Sequence, residues 1–184
     1  NERKQNLPGS DIIDRALLSG YRRRAQARAE GGEDFLLTHA MADLAERLSA
    51  VDRTFENGLL IAPIAGQAEA GLNAAGQVRK LMELDTVTFP GETLPLEPGS
   101  LDLVLSVLTL QETNDVPGAL IQMRRALRPD GLLLAVMLGG ETLKELRFAL
   151  TQAESEIYGG ASPRVLPFAD VRAAGALLQR TGFA

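Results

Sequence analysis

Acids and cations that could meet a substrate cluster late in this chain. Gly139-Gly140-Glu141-Thr142 runs into Leu143-Lys144-Glu145-Leu146-Arg147, and Ser162-Pro163-Arg164 follows one helix later. Glu141 and Glu145 stand one helical turn apart and can share a face. Two roles fit them equally well: contact with a substrate, or acids placed at the positive end of a helix. Arg164 has the forked donor geometry that suits a carboxylate or phosphate, and it can equally stabilise its own loop. Gly139-Gly140 suits a tight strand-to-helix turn whichever role its neighbours have. His39 lies in a helical pattern beside its apolar stripe and reads as a packed or surface residue rather than a base. No strong general base stands out, so no catalytic residue is assigned.

Composition removes several chemistries. The chain has no cysteine and one histidine, which excludes disulfides, thiolate metal sites and a cysteine nucleophile, and leaves a histidine triad or zinc site short of ligands. No metal site is expected. With 24 acidic against 19 basic residues the formal charge is −5, the wrong balance for a phosphate-binding footprint, so nucleic acid is not an expected partner. No apolar run reaches the roughly 20 residues that span a bilayer. Asn1 to Gly9 is polar and unlike a signal peptide, and a cytoplasmic address is expected.

The positioning elements follow from periodicity. Ser10 can cap a helix whose first turn holds Asp11 and Asp14 and whose later part carries Arg22, Arg23, Arg24 and Arg28, a charge order that matches the helix dipole. After Gly31-Gly32, Leu37, Met41, Leu44 and Leu48 form one face of an amphipathic helix that should pack on a sheet. Gly58 to Ile61 is a short strand, Ala65 to Ala75 has helical composition, and Val78 to Leu84 followed by Val87-Thr88-Phe89 supplies one or two more strands. Turn residues fill 90 to 100. Leu101 to Leu108 reads as a strand covered on both faces. Asn114 or Asp115 can cap a helix with Pro117 in its first turn and Val116, Leu120, Met123 and Leu127 as its buried stripe. Pro129-Asp130-Gly131 makes a turn before a buried strand, Leu132 to Leu138. Thr142 to Ile157 carries Leu143, Leu146, Leu150, Ala153 and Ile157 on one face, and Ala169 to Thr181 is a last helix stopped by Gly182. Strands alternating with helices predict a doubly wound, mostly parallel α/β sheet. One globular domain is expected, with a helical segment over residues 1–57 packed on an α/β core over 58–184.

Ser100-Leu101-Asp102-Leu103-Val104-Leu105-Ser106, Asn114-Asp115-Val116-Pro117-Gly118-Ala119-Leu120 and Leu127-Arg128-Pro129-Asp130-Gly131 resemble the fourth strand, next helix and fifth strand of class I S-adenosylmethionine (SAM) methyltransferases, a Rossmann-like fold. The run Gly139 to Arg147, with Ala153-Glu154, Gly159 to Arg164 and Pro167-Phe168, is similar to bacterial relatives of the mitochondrial complex I assembly factor 5, near the biotin-synthesis methyltransferases. The resemblance implies SAM as cofactor, bound at the carboxyl ends of the strands. It implies a glycine-rich turn on Leu59 to Gly66, where only Gly66 keeps the pattern: Leu60 replaces an acid, Ala62 and Ile64 replace glycines, and Pro63 removes a backbone donor. On that alignment Ala62, Ile64, Gly66, Asp85, Ser106 and Leu108 line the cofactor, and Glu83 or Asp85 holds the ribose, Asp85 being preferred because it follows the apolar run. Pro90 falls on the adenine-binding acid, and Gln111-Glu112 replaces a histidine and a tryptophan. Gly140, Glu141, Thr142, Arg147 and Arg164 would face the substrate. The family's final strands would follow Arg180 to Ala184, so the sheet is expected to lack them and to offer an edge to a second copy or another protein. Arginine hydroxylation, which the resemblance also carries, would need an iron triad that one histidine does not supply. The expected function is a SAM methyltransferase-like protein with an eroded cofactor site; the alternative is a non-catalytic homologue acting through protein contact or assembly.

Overall fold

The computed structural model describes residues 11–28, 34–63, 76–86 and 93–183. Helices α1 (Arg15–Arg28) and α2 (Phe35–Ser49) precede strands β1 (Phe55–Ala62), β2 (Val78–Asp85) and β3 (Leu101–Val107). Helix α3 (Val116–Ala126), strand β4 (Leu127–Val136) and helices α4 (Lys144–Tyr158) and α5 (Val171–Arg180) complete the order. The four strands form one sheet in the order β2-β1-β3-β4, parallel at every pair, as the doubly wound reading predicts.

Side chains of a strand alternate between faces, and β1 divides its apolar residues accordingly. Leu60 and Ala62 join Leu37, Met41, Leu44 and Leu48 of α2 in one core layer. Leu59 and Ile61 join Ala119, Leu120 and Met123 of α3 on the opposite face. Helices on both faces explain why β3 is buried at all seven positions and reads as an unbroken apolar run.

Local chemistry sets the helix starts. Asp115, rather than Asn114, caps α3: its Oδ1 accepts from Gly118 N at 2.9 Å, and Pro117 occupies the first turn. Asp170 caps α5 through Ala173 N at 2.7 Å. Gly182, at φ +86°, ends α5 with its N–H on the Gln179 carbonyl, a left-handed stop that favours glycine.

Several expectations need correction. The first helix begins at Arg15, later than Asp11, because Asp14 stands before it and accepts Leu17 N at 2.9 Å; Ser10 lies outside the described residues. Strand β1 starts at Phe55, three residues before Gly58, since Phe55 N already bonds the Gln77 carbonyl at 2.7 Å. The Pro129-Asp130-Gly131 turn lies inside β4. Leu127 pairs with Leu101 and Leu132 with Leu103, so the turn bulges out of a continuous strand. The stripe on α4 is not core: none of that helix is buried, and Leu143, Leu146 and Ile157 are exposed. That helix stands off the sheet, among the described residues. The helix expected over 65–75 and the strand residues Val87 to Phe89 lie outside the described residues.

Candidate functional site

The order β2-β1-β3 means that the chain leaves β1 in one direction to reach β2 and then crosses to β3 on the other side. Ligands of open parallel sheets bind at such a reversal, beyond the carboxyl ends of the strands. Three exits meet there. Asp85 ends β2 opposite Ala62, the fully buried last residue of β1, whose carbonyl accepts Thr86 N at 3.0 Å. Ser106 lies beside Ile61, and its hydroxyl is 2.8 Å from that of Thr109, both buried. Leu108 follows β3 at φ +50°, a left-handed conformation that a branched side chain rarely adopts. Two bonds hold it there: Leu108 N donates to the Val136 carbonyl at 2.8 Å, and Gln111 Nε2 donates to the Leu108 carbonyl at 2.9 Å. Backbone strain of this kind concentrates at functional sites. The structure therefore brings Ala62, Asp85, Ser106 and Leu108 to one end of the sheet; Ile64 and Gly66 lie outside the described residues.

Helix α1 crosses this end. Arg22 Nη1 donates to Thr86 Oγ1 at 2.7 Å, and the guanidinium forms an ion pair with Glu112. Burial pushes the Arg22 pKa down from its ordinary value, opposed by the nearby charge of Asp85 and reinforced by that of Arg15. Two residues before the helix, Ile13 N donates to Asn114 Oδ1 at 2.9 Å and Asn114 Nδ2 returns a bond to the Ile13 carbonyl at 3.0 Å. Between α1 and the strand ends remains a cavity of about 40 Å³, lined by Arg15, Ser19, Arg22, Ile61, Thr86 and Glu112 among others. By sequence alone Arg22 to Arg24 read as a cationic helix end and Glu112 as a replacement, yet Arg22 and Glu112 pair at this crevice. The missed signal was spacing: Arg15, Leu18, Ser19 and Arg22 share one helical face.

The substrate candidates form two separate groups. Arg147, in the first turn of α4, donates to the Gly140 carbonyl at 3.4 Å and the Thr142 carbonyl at 3.1 Å, pinning the turn after β4. Glu141 is exposed and holds Lys144 at 2.6 Å, which keeps its carboxyl below the ordinary value. Leu143 adopts φ +53° as α4 begins. Beside this turn is an apolar groove of about 400 Å³ that includes Met137, Gly140, Thr142, Ala169 and Val171. Arg164 is elsewhere, its Nε 2.5 Å from Glu154 Oε1. Glu154 follows Arg147 by seven residues, about 10 Å along a helix. Arg164 thus fastens the loop after α4 to that helix. His39 is exposed on α2.

A family profile described as "Methyltransferase domain" matches residues 36–135, which run from α2 through most of β4. The human protein named arginine-hydroxylase NDUFAF5, mitochondrial, is 48% identical over 191 residues, covering 94% of this chain and 55% of its own length. Its Danio rerio counterpart is 30% identical, covering 95% and 60%. Malonyl-[acyl-carrier protein] O-methyltransferase of Laribacter hongkongensis is 46% identical over 93 residues, 50% of this chain and 29% of that protein. The chain spans a little over half the length of the NDUFAF5 proteins. Among solved structures, the methyltransferase in complex with the Trm112 activator of Haloferax volcanii aligns at TM-score 0.60 and 14% identity, covering 89% of this chain and 75% of the other. Haemonchus contortus phosphoethanolamine N-methyltransferase 2, bound to S-adenosylhomocysteine, aligns at 0.54 and 16%, covering 77% and 36%. Those two likenesses concern the fold. Among the described residues no helix is long and apolar enough to cross a membrane. From α2 to β4, this chain belongs to the methyltransferase-domain family and is a relative of the class I SAM methyltransferases.

Proposed function

We propose that this protein is methyltransferase-like with an eroded SAM site, and that it acts through contact with another protein in the cytoplasm, in the manner of an assembly factor. The observation that carries this reading is the end of β1. Leu60, aligned with an acid of the family pattern, is fully buried against α2. Ala62, aligned with a glycine, is fully buried with a Cβ, and Pro63 follows with no N–H to donate. The residues present do not fit a ligand that needs close backbone approach and polar partners there. Exposed apolar side chains on α4, with Phe148 and Tyr158 more than 70% open, support a contact role, since grouped apolar exposure marks interaction surfaces. A second copy of the chain is one occupant for that surface. Gly140, Glu141, Thr142 and Arg147 belong to the same region, and Arg164 borders it.

Asp85 favours a second reading. It remains at the carboxyl end of β2, where the family holds the ribose of SAM, with Ser106 and Leu108 at the neighbouring exit. In that reading the bound cofactor supplies an activated methyl group, and the chain's residues align an acceptor and exclude water. Titration calorimetry with SAM separates the two. No heat at millimolar SAM supports the eroded site, whereas saturable micromolar binding, about −8 kcal/mol, supports the cofactor reading.

A further inference from the structure

Helix α1 is attached to the molecule by polar latches far more than by packing. Among its residues whose side chains are described, only Ser19 is buried. Leu17 and Tyr21 are half exposed, and Arg24 stacks over the Tyr21 ring at 4.7 Å. The contacts that fasten the segment include the Arg22 bond to Thr86, the Arg22 ion pair with Glu112, and the paired bonds of the Ile13 backbone with the Asn114 amide. All three receiving residues lie just past strand ends: Thr86 after β2, Glu112 and Asn114 after β3. These are the exits that border the crevice. The Arg22 guanidinium fills the space between them, so the crevice stays small while α1 is in place.

We infer that α1 is a strap that closes the crevice and releases as a unit, with Arg22–Glu112 as its latch. A buried apolar seam would tie the helix to global unfolding. A partly buried ion pair, one charge-assisted hydrogen bond and two neutral ones do not, because each group regains water when the strap lifts. Anything that occupies the crevice must first displace Arg22. The same latch lets a partner that takes hold of α1 expose the strand ends. This inference does not depend on whether SAM binds, and its test reads opening alone.

The chain has no cysteine, so one introduced thiol reports without background. Thr109, buried beneath α1, is replaced in the full chain by Thr109→Cys, and the rate of maleimide labelling is followed with and without Arg22→Gln. A Leu44→Cys variant, on the buried face of α2, reports global unfolding. Release of the strap predicts at least tenfold faster labelling at 109 with Arg22→Gln and an unchanged rate at 44. The exchanged pair Arg22→Glu with Glu112→Arg should return labelling at 109 to within threefold of the parent. Equal rates at 109 with and without Arg22→Gln overturn the inference, and so does a parallel rise at 44. Should Arg22→Gln fail to fold, hydrogen exchange of the parent decides: α1 amides exchanging well before those of β1 and β3 support the strap, and exchange in step with the sheet overturns it.

Discussion

Asp102 and Arg128 form an ion pair that ties the amino end of β3 to the start of β4. The Asp102 carboxylate is fully buried and also accepts Glu56 N at 2.8 Å and Asn57 N at 2.9 Å from β1, so one side chain joins three strands. Removing it leaves two backbone donors and a guanidinium without their acceptor. Asp102→Ala should cost about 3–5 kcal/mol in urea unfolding. Arg128→Ala should cost less, since the arginine is 43% exposed and the two backbone bonds to Asp102 survive. Equal costs would mean that the ion pair, not the backbone bonds, dominates.

Gly58 sits on β1 where a side chain would run into those of Val78 and Leu81 on β2. A Cβ there would lie 2.9 Å from Val78 Cγ1 and 3.1 Å from Leu81 Cδ1. A β-branched neighbour yields little, so Gly58→Ala should lower stability by about 1–3 kcal/mol, the range for overpacking. A neutral or raised denaturation midpoint would show that the β1–β2 contact is looser than described.

Leu60 offers a test of erosion that needs no ligand. Its side chain is wholly enclosed with α2, so Leu60→Asp buries a charge without a partner and should cost about 3 kcal/mol or more. A cost below about 1 kcal/mol would reveal a polar niche kept for the family's acid.

The loop after α4 should loosen in acid. The Ser162 N–H, first, and the Arg164 guanidinium, second, hold the Glu154 carboxyl below its ordinary 4.5. A depressed folded value means that the loop's stabilisation is complete above that ordinary value and is lost as pH falls through the lower folded one. The protection factor of the Ser162 amide, its rate corrected for the intrinsic pH dependence of exchange, should therefore be full above the ordinary value and fall as pH drops through the lower folded value. Glu154→Gln should remove the pH dependence, and an unchanged profile in that variant would contradict the assignment.

How much of this was legible in the sequence depended on whether a residue's signal was local. The stripe Leu37, Met41, Leu44 and Leu48 was readable because a 3.6-residue period and one core layer coincide, and all four are buried. Strand β3 and the Asp115 cap were readable for the same reason. The stripe on α4 misled, since periodicity marks an apolar face but not whether anything covers it. Arg22 was hidden by its neighbours: three consecutive arginines read as a solvated helix end, and only the fold 90 positions later supplies Glu112. Asn114 suits a helix cap by residue type, but its amide bonds Ile13, 101 positions away. Arg164 could be placed in an ordered loop, yet its partner Glu154 depends on how that loop folds back. Asp85 was placed by the end of its apolar run, and the register with Ala62 puts it at the same end of the sheet.

The central claim is that the β1 exit no longer receives SAM, and backbone amide resonances of Leu59 to Ala62, Asp85 and Ser106 followed by NMR during SAM titration test it most directly. The account predicts no shift at these amides up to millimolar SAM. Saturable shifts confined to these three exits, with a micromolar midpoint, would contradict it.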